Sequence, residues 1–169
     1  MLVYHPAFDL YNCIFRMLSL LAYSKEEEIY LDKLRIWDFY LTFPNEVREI
    51  AFPIEMRSLK EKIFKDKVNP YEELSDSKRT FERMKPFQLS AIKCIAVYGF
   101  VDSKLLGKSR VKKTDKEIPA KLKEQFELIS TEKSNVIKLV TNDFVNLPLY
   151  GEKGLKARTG LIEFKYDSK

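Results

Sequence analysis

Apolar positions recur at helical spacing along most of this chain. Between Ile29 and Phe43, Tyr30, Leu34, Trp37 and Leu41 form one stripe at i, i+4, i+7, i+11 spacing. Ile29, Ile36, Tyr40 and Phe43 form a second, and Arg35, Asp38 and Thr42 share the narrow face left over. A helix with one apolar stripe lies on a surface; one with two is enclosed between layers or holds a partner. Pro44 is disfavoured inside a helix and pushes Phe43 toward extended geometry, so the helix should stop there. The stretch reads as the central core helix. A sharper reading, compatible with the first, has Leu34, Trp37, Tyr40, Leu41 and Phe43 contributing to a protein interface.

The same periodicity predicts helices on either side. Pro6 suits a first helical turn, and the helix runs to about Tyr23 with Leu10, Ile14, Leu18 and Leu21 on one face. Ser24 is placed to cap the central helix, with Glu26, Glu27 and Glu28 in its first turn. Pro44 to Ile50 reads as a short extra turn. Glu55 to Phe64 is amphipathic, with Met56, Leu59 and Ile63 on one side, and Asn69-Pro70-Tyr71 ends it. Lys78 to Met84 is a further helix after a loop and cap at Ser75 to Ser77. Pro86 then restarts the chain. Phe87 to Tyr98, almost wholly apolar, predicts a second buried helix closed by Gly99. Ile118 to Ile129 and Ser134 to Phe144 are two more.

Two places break this pattern. Phe100-Val101-Asp102 and Arg110-Val111-Lys112-Lys113-Thr114 read as short strands around a turn containing Gly107. A helix that closes at Gly and runs into a hairpin with a basic return is how a winged-helix unit reads; an irregular surface connection is the alternative. Gly160 to Tyr166 alternates with period two, Ile162, Phe164 and Tyr166 against Glu163 and Lys165, which predicts an edge or wing strand. The expected fold is a single mainly helical α+β domain over residues 1–169, with a winged-helix-like unit and short hairpin or wing strands.

Composition supports that fold class and narrows the compartment. With 45% hydrophobic and 33% charged residues the chain is globular rather than disordered, and only 5 glycines argue against an all-β or loop-rich fold. Cys13 and Cys94 each sit inside an apolar helical pattern and read as small buried hydrophobes, without zinc or disulfide spacing. That fits a reducing, cytoplasmic setting. The first residues lack a basic n-region, and Asp9, Asn12 and Arg16 interrupt the apolar run from Ala7 to Tyr23, so neither a secretory signal nor a membrane span is expected.

Candidate chemistry is sparse. His5, the only histidine, lies four residues before Asp9, but such a pair without a nucleophile or third ligand makes neither a hydrolase triad nor a metal site. Glu163-Phe164-Lys165, with Asp143 upstream, has the acid, acid-x-Lys order of metal-dependent nucleases, in which acids hold the ion and Lys stabilises phosphate charge. The same triplet also arises on the solvent face of any strand, and Asp143 falls in a helical pattern rather than on a core strand. No catalytic residue, cofactor or metal site is therefore expected. The net charge of +5 permits a nucleic-acid partner without demanding one, because 25 acids are interspersed with 30 bases. Two basic clusters stand out: Lys108, Arg110, Lys112 and Lys113, with Lys104 nearby, and Lys153, Lys156 and Arg158 within the glycine-rich stretch Gly151 to Gly160. That stretch lacks the P-loop register, yet its backbone amides and bases suit a phosphate backbone or an acidic partner.

Several short motifs together resemble a known family. They are His5-Pro6-Ala7-Phe8-Asp9, Leu34-Arg35-Ile36-Trp37-Asp38-Phe39-Tyr40 with Phe43-Pro44, Pro70-Tyr71-Glu72, Phe81-Glu82-Arg83-Met84 to Gln88, and Leu155 to Leu161. Across nearly the whole chain they resemble the middle component of bacterial ABC-three-component systems, of which Lamassu-type defence is a close relative. The resemblance implies a non-catalytic accessory subunit beside an SMC- or Rad50-like ATPase and a nuclease-type effector, with double-stranded DNA reached through the complex. It supplies no catalytic residues. A free-standing winged-helix DNA-binding regulator is the alternative, though no helix rich in Arg, Asn and Gln is visible to read bases; a metal-dependent nuclease is the third reading.

Overall fold

A computed structural model describes residues 4–63, 74–129 and 131–164. The helices are α1 (Leu10–Tyr23), α2 (Leu31–Thr42), α3 (Arg57–Ile63), α4 (Ser77–Val97), α5 (Ser103–Leu106), α6 (Ala120–Glu127), α7 (Thr131–Lys138) and α8 (Leu155–Thr159). Two strands, β1 (Glu28–Tyr30) and β2 (Arg110–Lys112), form a small antiparallel sheet. The fold is thus mainly helical with a two-stranded sheet.

Helix α2 is the centre of the molecule, packed by α1, α4 and α7, while α1 also lies along α4. Leu34, Ile36, Trp37, Phe39, Tyr40 and Leu41 are all buried within it. Its end falls where Pro44 requires: α2 stops at Thr42, and Pro44–Glu49 continues as a tight 3-10 turn. Its start differs from expectation. Glu28 and Tyr30 do not belong to a first helical turn; they flank Ile29 in β1, whose side chain is buried opposite Val111. A pairing partner 82 positions away, from Ile29 to Val111, outcompetes local helical preference. Ser24 still accepts a backbone hydrogen bond from Glu26, at 3.2 Å, but caps a turn rather than the helix.

Two further boundaries differ. The first helix breaks at Asp9: Pro6–Phe8 is a 3-10 turn, and the Asp9 carboxylate caps α1 by accepting from Asn12 N at 2.8 Å. The two helices expected on either side of Pro86 are one, α4, with Pro86 on its exposed side. Proline inside a helix costs about 3 kcal/mol. Burial of Phe81, Met84, Ile92 and Ile95 on the other side, at about 1.5–3 kcal/mol each, outweighs it.

The expected hairpin is present only in part. Val101 and Lys113 form a single bridge, and β2 takes β1, not residues 100–102, as its main partner. The intervening turn is the short helix α5, capped by Asp102. The expected strand over Gly160 to Tyr166 is not seen in its described part: Leu161 to Phe164 are irregular, and Lys165 and Tyr166 lie outside the described residues. Helix α7 extends through a π-helical segment, Leu139–Asp143, so Asp143 sits at the end of a helical rod, as its pattern suggested.

Candidate functional site

The residues that form the narrow polar face of α2 do not point to solvent. Asp38 is fully buried, and Arg16 from α1 meets it at 2.6 Å through Nε and 3.2 Å through Nη2. Gln88 of α4 donates to the same carboxylate at 2.9 Å and to the carbonyl of Arg35 at 3.1 Å. Arg35 returns a bond from Nε to Gln88 Oε1 at 2.9 Å, and its guanidinium lies 4.5 Å from the Phe81 ring centroid. Three helices are thus joined by a closed set of charge-assisted bonds, which is what makes a buried carboxylate tolerable. Cys13 lies beside this knot; burial, with the Asp38 charge, pushes its thiol up, so it is an inert thiol.

Arg16 also forms part of the wall of a cleft of about 510 Å³ at the mouth of α1, α2 and α7. Its remaining Nη1 donates to Pro6 O at 2.8 Å. Phe15, Phe43 and Ile137 give the cleft apolar sides, and His5 and Lys133 bring nitrogen to it. His5 does not pair with Asp9. Its Nδ1 accepts from Ala7 N at 3.1 Å, and its ring stacks on Phe43 at 5.4 Å, so it starts the first turn. Burial and then the Arg16 charge hold both His5 and Lys133 below their ordinary pKa values.

Of the residues expected at a protein interface, Leu34, Trp37, Tyr40 and Leu41 are enclosed within the chain and present no surface. Phe43, half-buried, lines the cleft, and the buried Leu41 forms part of its inner wall. The core explanation of the double stripe accounts for the first four.

The basic clusters divide in the same way. Arg110 is tied to Glu28 at 2.8 Å and lies over the Tyr30 ring, and Lys113 donates to Ser24 O at 2.8 Å. Lys108 and Lys112 are exposed, as is Lys104. In the second cluster Lys156 is buried, its ammonium 4.6 Å from the Tyr150 ring centroid. Arg158 donates to Lys153 O at 2.6 Å and to Ala51 O at 2.8 Å, while Ala51 N donates back to Arg158 O. Lys153 is exposed. The glycines here are architectural. A Cβ on Gly154 would collide with the Tyr150 carbonyl, and Gly160, at φ 65°, is the left-handed cap of α8. This loop therefore closes the fold rather than presenting a phosphate cradle.

Sequence reading missed a third basic surface. Joining the two expected helices into α4 aligns Lys78, Arg79, Lys85 and Lys93 along its exposed side, with Glu82 among them. Continuous periodicity from Phe81 through Met84, Gln88, Ala91 and Ile95 was the available signal; the break assumed at Pro86 hid it. Glu163 is exposed and pairs with Lys78 at 3.4 Å. Among the described residues no group of three or more His, Cys, Asp or Glu side chains is placed to hold a metal ion. No helix among them is long and apolar enough to cross a membrane.

Compared with known families, residues 2–167 match the model for the ABC-three component (ABC-3C) system Middle Component 5. The chain belongs to this family. No curated protein and no solved structure matches it. For a Middle Component 5 chain, the short motifs of the resemblance now have positions. Leu34 to Tyr40 and the run from Phe81 to Gln88 are two sides of the buried knot, His5 and Pro6 line the cleft while Asp9 of the same motif caps α1, and Leu155 to Leu161 is α8 with its cap. Pro70-Tyr71-Glu72 lies outside the described residues. The motifs thus mark what holds the component together, and membership of a multi-component system implies partner subunits.

Proposed function

We propose that this chain is a non-catalytic accessory subunit. It bridges an SMC- or Rad50-like ATPase and a nuclease-type effector in a cytoplasmic antiphage or anti-plasmid complex of Lamassu-like organisation. The observation that carries the reading is the match of residues 2–167 to the Middle Component 5 family of ABC-three component systems, one component of a multi-component assembly. The interior supports it as well: the motif residues are spent on packing, which suits a scaffold. One end of the molecule offers contact surface. Val97 and Tyr98 are exposed at the end of α4, and Lys116 ties Tyr98 to the chain after β2 through its carbonyl. Lys104, Lys108 and Lys112 are exposed on that same α5–β2 connection. The apolar pair suits a protein partner, and the lysines suit an acidic surface or a DNA backbone.

The test is co-expression with the chromosomal neighbours, followed by size exclusion and mass photometry. A stable complex containing the ATPase is expected, weakened by Val97→Asp with Tyr98→Ala. A chain that stays monomeric beside those neighbours overturns the reading.

A second reading, a free-standing winged-helix regulator, is favoured by chain order and charge. Helix α1, strand β1, helices α2 and α4, the Val101 bridge and β2 follow in the order of a winged-helix unit, with the first strand beside the last. The outward side of α4 carries Lys78, Arg79, Lys85 and Lys93. This reading requires tight, sequence-dependent duplex binding by the isolated chain. The accessory reading expects weak, salt-sensitive, sequence-independent binding at most.

A further inference from the structure

The two basic clusters are not separate surfaces. In the small sheet Glu28 stands opposite Lys112 and Tyr30 opposite Arg110, while Ile29 and Val111 between them are buried. Side chains alternate along a strand, so Glu28, Tyr30, Arg110 and Lys112 share the outer face of the sheet. The Arg110 guanidinium lies 4.0 Å from the Tyr30 ring centroid, and Tyr30 meets Tyr150 edge to face with centroids 5.2 Å apart. The buried Lys156 backs the Tyr150 ring from the inside. Tyr150 immediately precedes the loop that carries Lys153, so a pair of tyrosines joins β2 to the α8 loop. Lys104 adjoins the same face. Asp102, held low first by the backbone bond from Leu105, also feels the charges of Lys104 and Lys112, which places both lysines around it. Lys104, Lys108, Lys112 and Lys153 are exposed, and Tyr150 is 40% exposed. Acids are present too. Glu28 is held by Arg110 and Asp102 caps α5, while Glu27 and Glu152 are exposed at the margins. The face is thus an aromatic pair with lysines on either side of it.

Lysines alone would suit any polyanion; the rings narrow the choice. A duplex keeps its bases stacked inside and offers phosphates and groove edges. A single strand offers bare base faces, which stack on aromatic rings while cations track the phosphates. We propose that this face binds single-stranded DNA, with a base stacked on the exposed part of Tyr150 and the neighbouring phosphates held by Lys112 and Lys153. Tyr30 and Arg110 fix the ring from the side and are positioning residues. Binding is weak, salt-sensitive and tolerant of sequence, because the site meets base faces and phosphate charge rather than base edges. The choice of DNA over RNA rests on the accessory reading, in which the complex is directed against phage or plasmid DNA; the site itself lies on this chain.

The test is fluorescence anisotropy with the full chain and an end-labelled oligothymidylate of about 12 nucleotides, within the range one single-strand site covers. Beside it run an abasic strand, a duplex and an oligouridylate of the same length, and polyglutamate. Saturable binding is expected, tightest for oligothymidylate and weakening as salt rises. Tyr150→Leu, which keeps an apolar cover over Lys156, should weaken oligothymidylate binding at least about fivefold, the effect of losing one stacked base, and leave the abasic strand unchanged. Tyr150→Trp offers a larger ring and should tighten it, which gives a result even where the leucine variant fails to fold. Lys112→Gln with Lys153→Gln should weaken both strands and flatten the salt dependence. Lys85→Gln, on the exposed side of α4, should change neither. Absence of saturable binding overturns the site. Equal affinity for oligothymidylate and the abasic strand overturns the stacking role of Tyr150, and tighter duplex binding overturns the single-strand assignment. Tighter oligouridylate binding overturns the choice of DNA, and equal affinity for polyglutamate overturns nucleic acid as the occupant. The strand assay needs no neighbouring subunit and co-purification needs no strand, so this proposal and the accessory reading fail separately.

Discussion

Asp38 of α2 accepts from Arg16 of α1 at 2.6 Å in the middle of the hydrophobic core, with no part of the carboxylate residue exposed. Such a pair is weak evidence for net stability but a strong determinant of what happens when it is broken. Asp38→Ala leaves a buried guanidinium without its partner, at a cost of about 3–5 kcal/mol. Replacing both, Arg16→Met with Asp38→Leu, is expected to fall much nearer the parent protein. Urea denaturation of the two singles and the double measures this as a coupling energy. A double variant as unstable as the sum of the singles would count against the pair's reciprocal role.

Trp37, the only tryptophan, is fully buried, and its indole nitrogen meets no hydrogen-bond acceptor among the described residues. Its contribution is then volume and apolar area rather than a bond. Trp37→Ala should cost about 3–5 kcal/mol by cavity formation. Trp37→Phe removes the unsatisfied donor along with some volume and should retain most of the stability. Thermal unfolding followed by circular dichroism compares the two without needing the indole signal.

Stability should fall on the alkaline side. Burial raises the thiol of Cys13 above its ordinary 9.0 and the phenol of Tyr40 above its ordinary 10.0. As pH passes those ordinary values the unfolded chain releases protons that the folded chain keeps, which favours unfolding. On the acid side Asp9 and Asp102, held low by the backbone bonds that they accept as caps, have the opposite sign. Their contribution is present above 3.8 and lost as pH falls through their folded values. Denaturation midpoints across pH test both limbs. Thiol labelling offers a separate check: Cys94, half-buried, should react in the native protein before Cys13, which is fully buried.

Arg158 and Lys153 belong to one basic cluster by sequence but should behave differently. Arg158→Ala removes the exposed bonds to Ala51 O and Lys153 O and should destabilise by about 0.5–1.5 kcal/mol, whatever it does to partner binding. Lys153→Ala, on the surface, should stay within about 0.5 kcal/mol of the parent protein. Gly154→Ala should resemble Arg158→Ala, because the added methyl meets the Tyr150 backbone. Equal stability for all three would overturn the architectural account of this loop.

What could be read from sequence followed from how local its cause was. The end of α2 at Pro44 and the cap at Gly99 are decided by one or two residues, and both are where the pattern placed them. The core identity of Leu34, Trp37 and Leu41 follows from spacing alone. Strand β1 was hidden because its reason, Val111 on β2, lies far along the chain, and three consecutive glutamates nearby favoured a helix start. The fusion of α4 was hidden because Pro86 is a breaker unless it faces solvent, which only packing decides. The polar knot was missed for a related reason. Arg35, Asp38 and Thr42 look like a solvated strip until Arg16 and Gln88 are brought to it from other helices. The cleft had the lone histidine as its only sequence sign; Lys133 and Phe43 join His5 there through three separate helical elements.

The reciprocal bonds between Ala51 and Arg158 span 107 positions, and β1 waits for β2 in the same way. On a ribosome emitting the chain from its first residue, α1 and α2 emerge long before the segments that complete their surroundings. Closing a loop of that length carries an entropic cost that its contacts recover only at the end. The nascent molecule should therefore keep the Ala51 edge of its core open until α8 has emerged, so the central helix, though made early, is sealed only by a segment made more than a hundred positions later.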